Sequence, residues 1–295
     1  MTGHIFSPAN IIAAVLTLIP FLAAIFFPGA VERRAITLPL TARFLLPAIL
    51  SLPYALVSIS AGIFQWDWFV LYLLLPVAIS LLLWQATCVD PKQRGNWRDF
   101  TILATLGLAV DLRWFEAAWP PSLGIFNKFL LLNMGLYGFL VCRKLDGVGL
   151  DLRLRKQDIL IGLREFAFYA PLAVAVGLSL GFLHLHIGWP PLTRAIGAPL
   201  FTFFFIAIPE EIFFRGWLQN LLERRFGRTS ALLFTAALFG LSHFNKRTAY
   251  FNWRYVLLAA LAGIFYGRAW RQQRRVAAST ITHTAVDTVW SLWLR

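Results

Sequence analysis

Glu210, Glu211, Arg215, His243, His283 and Asp287 stand inside otherwise apolar stretches in the last third of the chain. Ionisable side chains are costly in apolar helices, and where they occur they usually face a shared cavity or one another. The spacing fits that arrangement. Glu211 and Arg215 are four residues apart, as are Phe239 and His243, and His283 and Asp287, so each pair falls on one face of a helix. A carboxylate and an imidazole in a partly dry cavity form a water-activating pair, because a desolvated carboxylate is the stronger base. Peptide hydrolysis also needs donors for the developing oxyanion. His283 can serve directly, and Asp287 can orient it or, when protonated, donate itself. No Ser or Cys stands in a nucleophile motif, which disfavours a covalent acyl-enzyme route. Glu210, His243 and His283 also form a candidate three-ligand set for a divalent metal such as zinc with an open position. The chain has no His-Glu-x-x-His segment, and metal-free activation without a cofactor is the favoured expectation. The bland alternative is a set of interhelical hydrogen bonds. Six such residues on three helices, with matched spacing, favour a site.

The elements that hold these residues are membrane helices. Hydrophobic residues make up 59% of the 295 residues, charged ones 14%, and the mean hydropathy is +0.67, well outside the range of soluble domains. Residues 5–31, 44–66, 68–89 and 166–193 lack Asp, Glu, Lys and Arg and are long enough to span a bilayer. Shorter apolar runs begin at Phe100, Phe129, Ala195, Thr229 and Tyr255, and a last one covers residues 276–294. The expected fold is an all-α polytopic transmembrane bundle of about ten helices, with eight to ten admissible. The segment at residues 143–165, where charges alternate with Leu and Gly, reads as a partly amphipathic interfacial connection. It separates N-terminal transmembrane helices, residues 1–145, from a C-terminal core, residues 146–295.

Depth along the helices is consistent with one chamber. If the seventh and eighth helices turn near Phe226 and Gly227, Glu210 lies 16 residues before the turn and His243 16 after it. At about 1.5 Å per residue the two sit at similar heights. His283 and Asp287 follow Arg275 by 8 and 12 residues, a somewhat shallower depth. Pro209 is expected to break or kink the helix just before Glu210.

Loops after odd-numbered helices carry nineteen Lys and Arg, against six in the others, including Lys246 and Arg247. The N-terminus is therefore expected outside and the Arg clusters in the cytoplasm. The net charge of +13 is spread over several loops, which favours anchoring at anionic headgroups and argues against nucleic acid as a partner. Met1-Thr-Gly-His lacks the charged start of a cleavable signal, so the first helix is expected to be retained. Cys88 and Cys142 read as isolated packing residues. Arg268, Arg271, Arg274 and Arg275 read as topology anchors, and His184 and His186 as interfacial.

Three segments in order, Glu210-Glu211-Ile-Phe-Phe-Arg215-Gly216, Phe239-Gly-Leu-Ser-His243 and His283-Thr-Ala-Val-Asp287, resemble the motifs of the CAAX protease and bacteriocin-processing family. That family includes the type II prenyl-protein endopeptidases and many bacterial intramembrane peptidases. Gly263-Ile-Phe-Tyr-Gly267 is similar to the family's approach to its last motif. The resemblance spans roughly residues 145–295. It implies an intramembrane endopeptidase of a bacterial cell membrane, acting on a membrane-associated protein or peptide, lipidated or not. In such an enzyme Glu210 and His243 would activate water. His283 and Asp287 would stabilise the oxyanion or organise the site, with Glu211, Arg215 and Phe239 in support. The prenyl-protease branch often has Asn where this chain has Asp287, which weakens transfer of prenyl specificity. Two other classes fit parts of the pattern. Buried Glu, His and Asp also build proton relays in transporters, and a catalytically inactive immunity or scaffold protein would keep the fold.

Overall fold

The computed structural model describes residues 6–186, 188–246 and 250–294. The Met1-Thr-Gly-His start and Arg247 lie outside the described residues. No strand occurs among the described residues, and the chain folds into two compact units, Met1–Asp146 and Gly147–Arg295. It is a polytopic helical bundle.

The first unit contains α1 (Pro8–Phe26), α2 (Pro28–Ile36), α3 (Leu40–Ser60), α4 (Trp66–Val89), α5 (Trp97–Asp111) and α6 (Ile125–Cys142). The second contains α7 (Lys156–Ser179), α8 (Leu192–Phe226), α9 (Arg228–Leu241), α10 (Trp253–Gln273) and α11 (Val276–Trp293). Ten of these coincide with the apolar segments expected from the sequence, and α2 is an added short charged helix. By length and composition six of them, α1, α3, α4, α6, α7 and α8, can each cross a membrane. Large apolar side chains such as Ile19, Leu74, Phe168 and Leu200 are exposed along them, as lipid-facing surfaces require.

Inside the first unit the sparse polar residues pack helices together. Tyr72 donates to Asn127 Oδ1 at 2.9 Å and accepts from Trp119 Nε1 at 2.8 Å. Asn133 donates to the Thr17 carbonyl at 2.8 Å, tying α6 to α1. Arg143 is fully buried and not a free loop charge: Nε meets Asp99 Oδ1 at 2.8 Å and Nη2 meets Asp90 Oδ2 at 2.7 Å. Cys88 is exposed, Cys142 is buried, and both are free thiols.

The second half of the segment at 143–165 is helical. Helix α7 begins at Lys156, ten residues before the uncharged run. Its charges are neutralised locally, which lets the helix extend. Asp158 caps the first turn by accepting from the Arg155 amide at 2.9 Å, and takes a fork of bonds from Arg275 at 2.8 and 3.0 Å. Glu165 is buried against Arg268, 3.0 Å away, and Gln272, also 3.0 Å away. In the linker before α7, a hydrogen bond from Arg153 holds the Asp151 carboxyl down to about 2.

Helix α8 has 35 residues, more than one straight span needs. Wide π-type turns at Thr202–Ala207 and Ile212–Gln219 flank the short α-helical turn Ile208–Glu211. Pro209 has no amide hydrogen to give, and wide turns accommodate such a defect while rotating the side chains that follow. The turn expected at Phe226 and Gly227 is present, with Gly227 at φ +82°, where a side chain would be strained. Helices α9 and α10 approach closely because Gly240 lacks a side chain; a Cβ there would stand 2.5 Å from the Val256 carbonyl oxygen.

Arg143→Ala strands two buried or half-buried carboxylates and is expected to cost about 3–5 kcal/mol. Arg113→Ala removes an exposed pair with Glu116 at 3.7 Å and is expected to cost at most about 1 kcal/mol. Thermal unfolding of the two variants in one detergent checks the difference.

Candidate active site

Glu211 is fully buried and bridges two helices. Its Oε2 accepts from Arg215 Nε at 3.0 Å, one turn along α8, and its Oε1 accepts from His283 Nδ1 on α11 at 2.9 Å. The carboxylate fixes the imidazole through Nδ1, so Nε2 faces the other way. Nε2 lies 3.6 Å from Asp287 Oδ2 and 3.9 Å from Glu210 Oε2, ion-pair separations longer than a hydrogen bond. The exposures divide the group in two. Glu211 and Arg215 side chains are 0% exposed and His283 3%, whereas Glu210 is 15% and Asp287 27% exposed. The first three form a sealed base, and the last two carboxylates reach toward an opening.

Among the described residues Arg215 has one carboxylate partner, and it has no water-facing surface. Its guanidinium carbon lies 5.1 Å from the Phe239 ring centroid, 5.8 Å from Tyr266 and 5.9 Å from Phe214. Aromatic faces attract a desolvated cation. Phe239 also presents its ring at 89° to His283, with centroids 5.7 Å apart, so one side chain packs both the cation and the imidazole.

His243 stands just beyond the end of α9. Its Nδ1 lies 2.8 Å from the Phe239 carbonyl oxygen, one turn back. A carbonyl only accepts, so the proton sits on Nδ1 and Nε2 presents a lone pair. The ring is held edge-on by Tyr255, centroids 4.8 Å apart.

The second unit also contains a cavity of about 90 Å³. His243, His283, Asp287 and Tyr266 form its polar end, and apolar residues of α7, α10 and α11, including Ala173 and Ala262, form the rest. Every residue of the expected set therefore falls in one region of one unit. His243 is joined to none of the other polar members of the set by a side-chain hydrogen bond or ion pair described above; its Nδ1 meets the Phe239 carbonyl and, at 3.2 Å, the Ser242 hydroxyl. Among the described residues no group of three or more His, Cys, Asp and Glu side chains is gathered closely enough to hold a metal ion. The alternative set Glu210, His243 and His283 is therefore not preassembled as a coordination sphere.

Two residues escaped the sequence reading. Tyr266 stacks on His283, ring centroids 4.6 Å apart and planes 16° from parallel, and Tyr255 packs on His243. The signal for Tyr266 was the small-residue frame of Gly263 and Gly267 around it, a mark of close helix approach. The Arg cluster at the end of α10 is absorbed in ion pairs: Arg271 and Arg274 with Glu223, Arg268 with Glu165, Arg275 with Asp158.

The chain is thus a multi-pass helical membrane protein with a buried glutamate and histidine site beside an apolar cavity. Residues 192–289 match the family described as type II CAAX prenyl endopeptidase Rce1-like. That stretch, about a third of the chain, holds all three motifs and is where the chain is similar to the CAAX protease family. No curated protein and no solved structure matches the chain.

Arg215→Ala leaves Glu211 buried with one partner fewer and is expected to lower stability by about 3–5 kcal/mol. Arg215→Lys is expected to recover only part of it, because an ammonium cannot reproduce the planar fork among three rings. Thermal unfolding of both variants tests this.

Proposed function

We propose that the protein is an intramembrane endopeptidase of a bacterial cell membrane that hydrolyses a peptide bond in a membrane-associated protein or peptide. The observation that carries this reading is the meeting of His243, His283 and Asp287 at the polar end of one cavity with an apolar wall, with Glu210 3.9 Å from His283 Nε2. Nucleic acid has no part in it.

Glu210 takes one proton of the attacking water while the Nε2 lone pair of His243 accepts a hydrogen bond from the other. The water oxygen bonds to the carbonyl carbon, and the carbonyl oxygen becomes an oxyanion. His283 Nε2 donates to that oxyanion; Glu211 and Arg215 hold the imidazole in place from behind. Asp287 orients His283, or donates alongside it when protonated. The proton taken from water passes to the amide nitrogen, the carbon–nitrogen bond breaks, and a carboxylate and an amine leave. The apolar cavity receives a bulky apolar group of the substrate, whether a side chain or a lipid. Activation proceeds without a metal; loss of activity on chelation, restored by zinc, would instead assign a metal to Glu210, His243 and His283.

With a fluorogenic membrane peptide, Glu210→Gln and His243→Ala are expected to lower kcat by about 10²–10⁴-fold with unchanged unfolding temperatures. Full activity in both folded variants would contradict the proposal. Ala173→Phe narrows the cavity and is expected to raise KM for substrates with a bulky apolar group while sparing small ones, as a substrate series would show.

A further inference from the structure

The first unit holds a cavity unrelated to the catalytic residues. A void of about 430 Å³ lies among α1, α2, α3 and α6, lined by apolar residues such as Ala23, Ala24, Val31 and Leu46, with Tyr137 and Arg34 at its polar edge. That volume falls in the range of ligand pockets. Helix α2 follows α1 after one residue and carries Glu32, Arg33 and Arg34, charges that fix it at the level of the membrane surface. The cavity runs inward from there to Pro20, six residues or about 9 Å along α1 from its end at Phe26. It therefore joins a basic rim to the apolar interior.

The rim has a second cation. Arg43 donates through Nη2 to the carbonyls of Ile36 at 2.7 Å and Leu38 at 3.2 Å, closing the end of α2, and Tyr137 donates to the Arg43 carbonyl at 2.7 Å. Leu38 and Tyr137 both line the cavity. Arg43 Nε is buried and has no hydrogen-bond partner among the described residues. Glu32 is two positions from Arg34, about 200° around the helix. An apolar slot with Arg34 in its wall, and with Arg43 bonded to two of its lining residues, is complementary to a chain with an anionic head. Basic pockets between membrane helices bind such headgroups.

We propose that this cavity is a site for an anionic phospholipid, with an acyl chain between α1, α3 and α6 and the phosphate against Arg34 and Arg43. The occupant locks α2 onto the bundle.

Native mass spectrometry of the purified, delipidated full chain tests this, using phosphatidylglycerol and phosphatidylcholine with the same acyl chains. Wild type is expected to retain phosphatidylglycerol preferentially, and Arg34→Gln to lower that retention about fivefold while leaving phosphatidylcholine unchanged, the equivalent of about 1 kcal/mol. Ala23→Phe, which fills the slot, is expected to reduce retention of both lipids. Inorganic phosphate at the same concentration is expected not to displace the lipid, because it lacks the chain. Equal retention of the two lipids by wild type and Arg34→Gln would mean an unspecific lipid annulus and overturn the proposal. Displacement by phosphate alone would also overturn it. A dimer abolished by Ala23→Phe with lipid retention unaltered would assign the slot to a second copy of the chain.

Discussion

The carboxylate of Glu211 is the joint on which the second unit's chemistry depends. It is fully buried, and it is bound at once by Arg215 on its own helix and by His283 on α11. A lone carboxylate would be prohibitively costly there, as would a lone guanidinium. Together they are tolerable because their charges oppose across a 3.0 Å hydrogen bond, and because Phe239, Tyr266 and Phe214 surround the guanidinium with aromatic rings. The imidazole bound to the second carboxylate oxygen inherits a fixed orientation. Its free edge then faces Glu210 and Asp287, so the polarity of the exposed rim is set by a pair that never meets solvent.

Helix ends fix the remaining geometry. The turn between α10 and α11 is anchored by the Arg275 fork on Asp158, and the last turns of α10 by Glu165 and Glu223. These contacts set where His283 and Asp287 begin their climb along α11. On the other side, the wide turns around Pro209 let Glu210 and Glu211 serve different tasks though adjacent in sequence. One closes the buried network, and the other lies within reach of the cavity's polar rim. The close contact at Gly240 brings α9 against α10 and delivers His243 beside Tyr255.

Much of this was legible beforehand, because helix periodicity and intramembrane charge are strong signals. The four-residue spacings of Glu211 with Arg215 and of His283 with Asp287 correspond to real contacts, and the apolar runs correspond to helices. Three things were hidden. The start of α7 at Lys156 was one, because the charges before residue 166 find pairing partners more than a hundred residues away in sequence, Arg275 for Asp158 and Arg268 for Glu165. Glu211 was read as a partner of Arg215 alone. Its bond to His283 spans 72 positions, and no local rule predicts a contact of that range. Tyr266 was hidden for the same reason, since a buried tyrosine in an apolar helix looks like packing until its neighbour across the interface is known.

The central claim is that this buried site cleaves peptide bonds in the membrane, and new protein termini are its most direct signature. Quantifying N- and C-terminal peptides in membranes from cells expressing wild type or Glu210→Ala, at matched levels of folded protein, measures it. The account predicts at least one membrane-protein terminus present with wild type and absent with Glu210→Ala. Identical sets of termini from the two would contradict it.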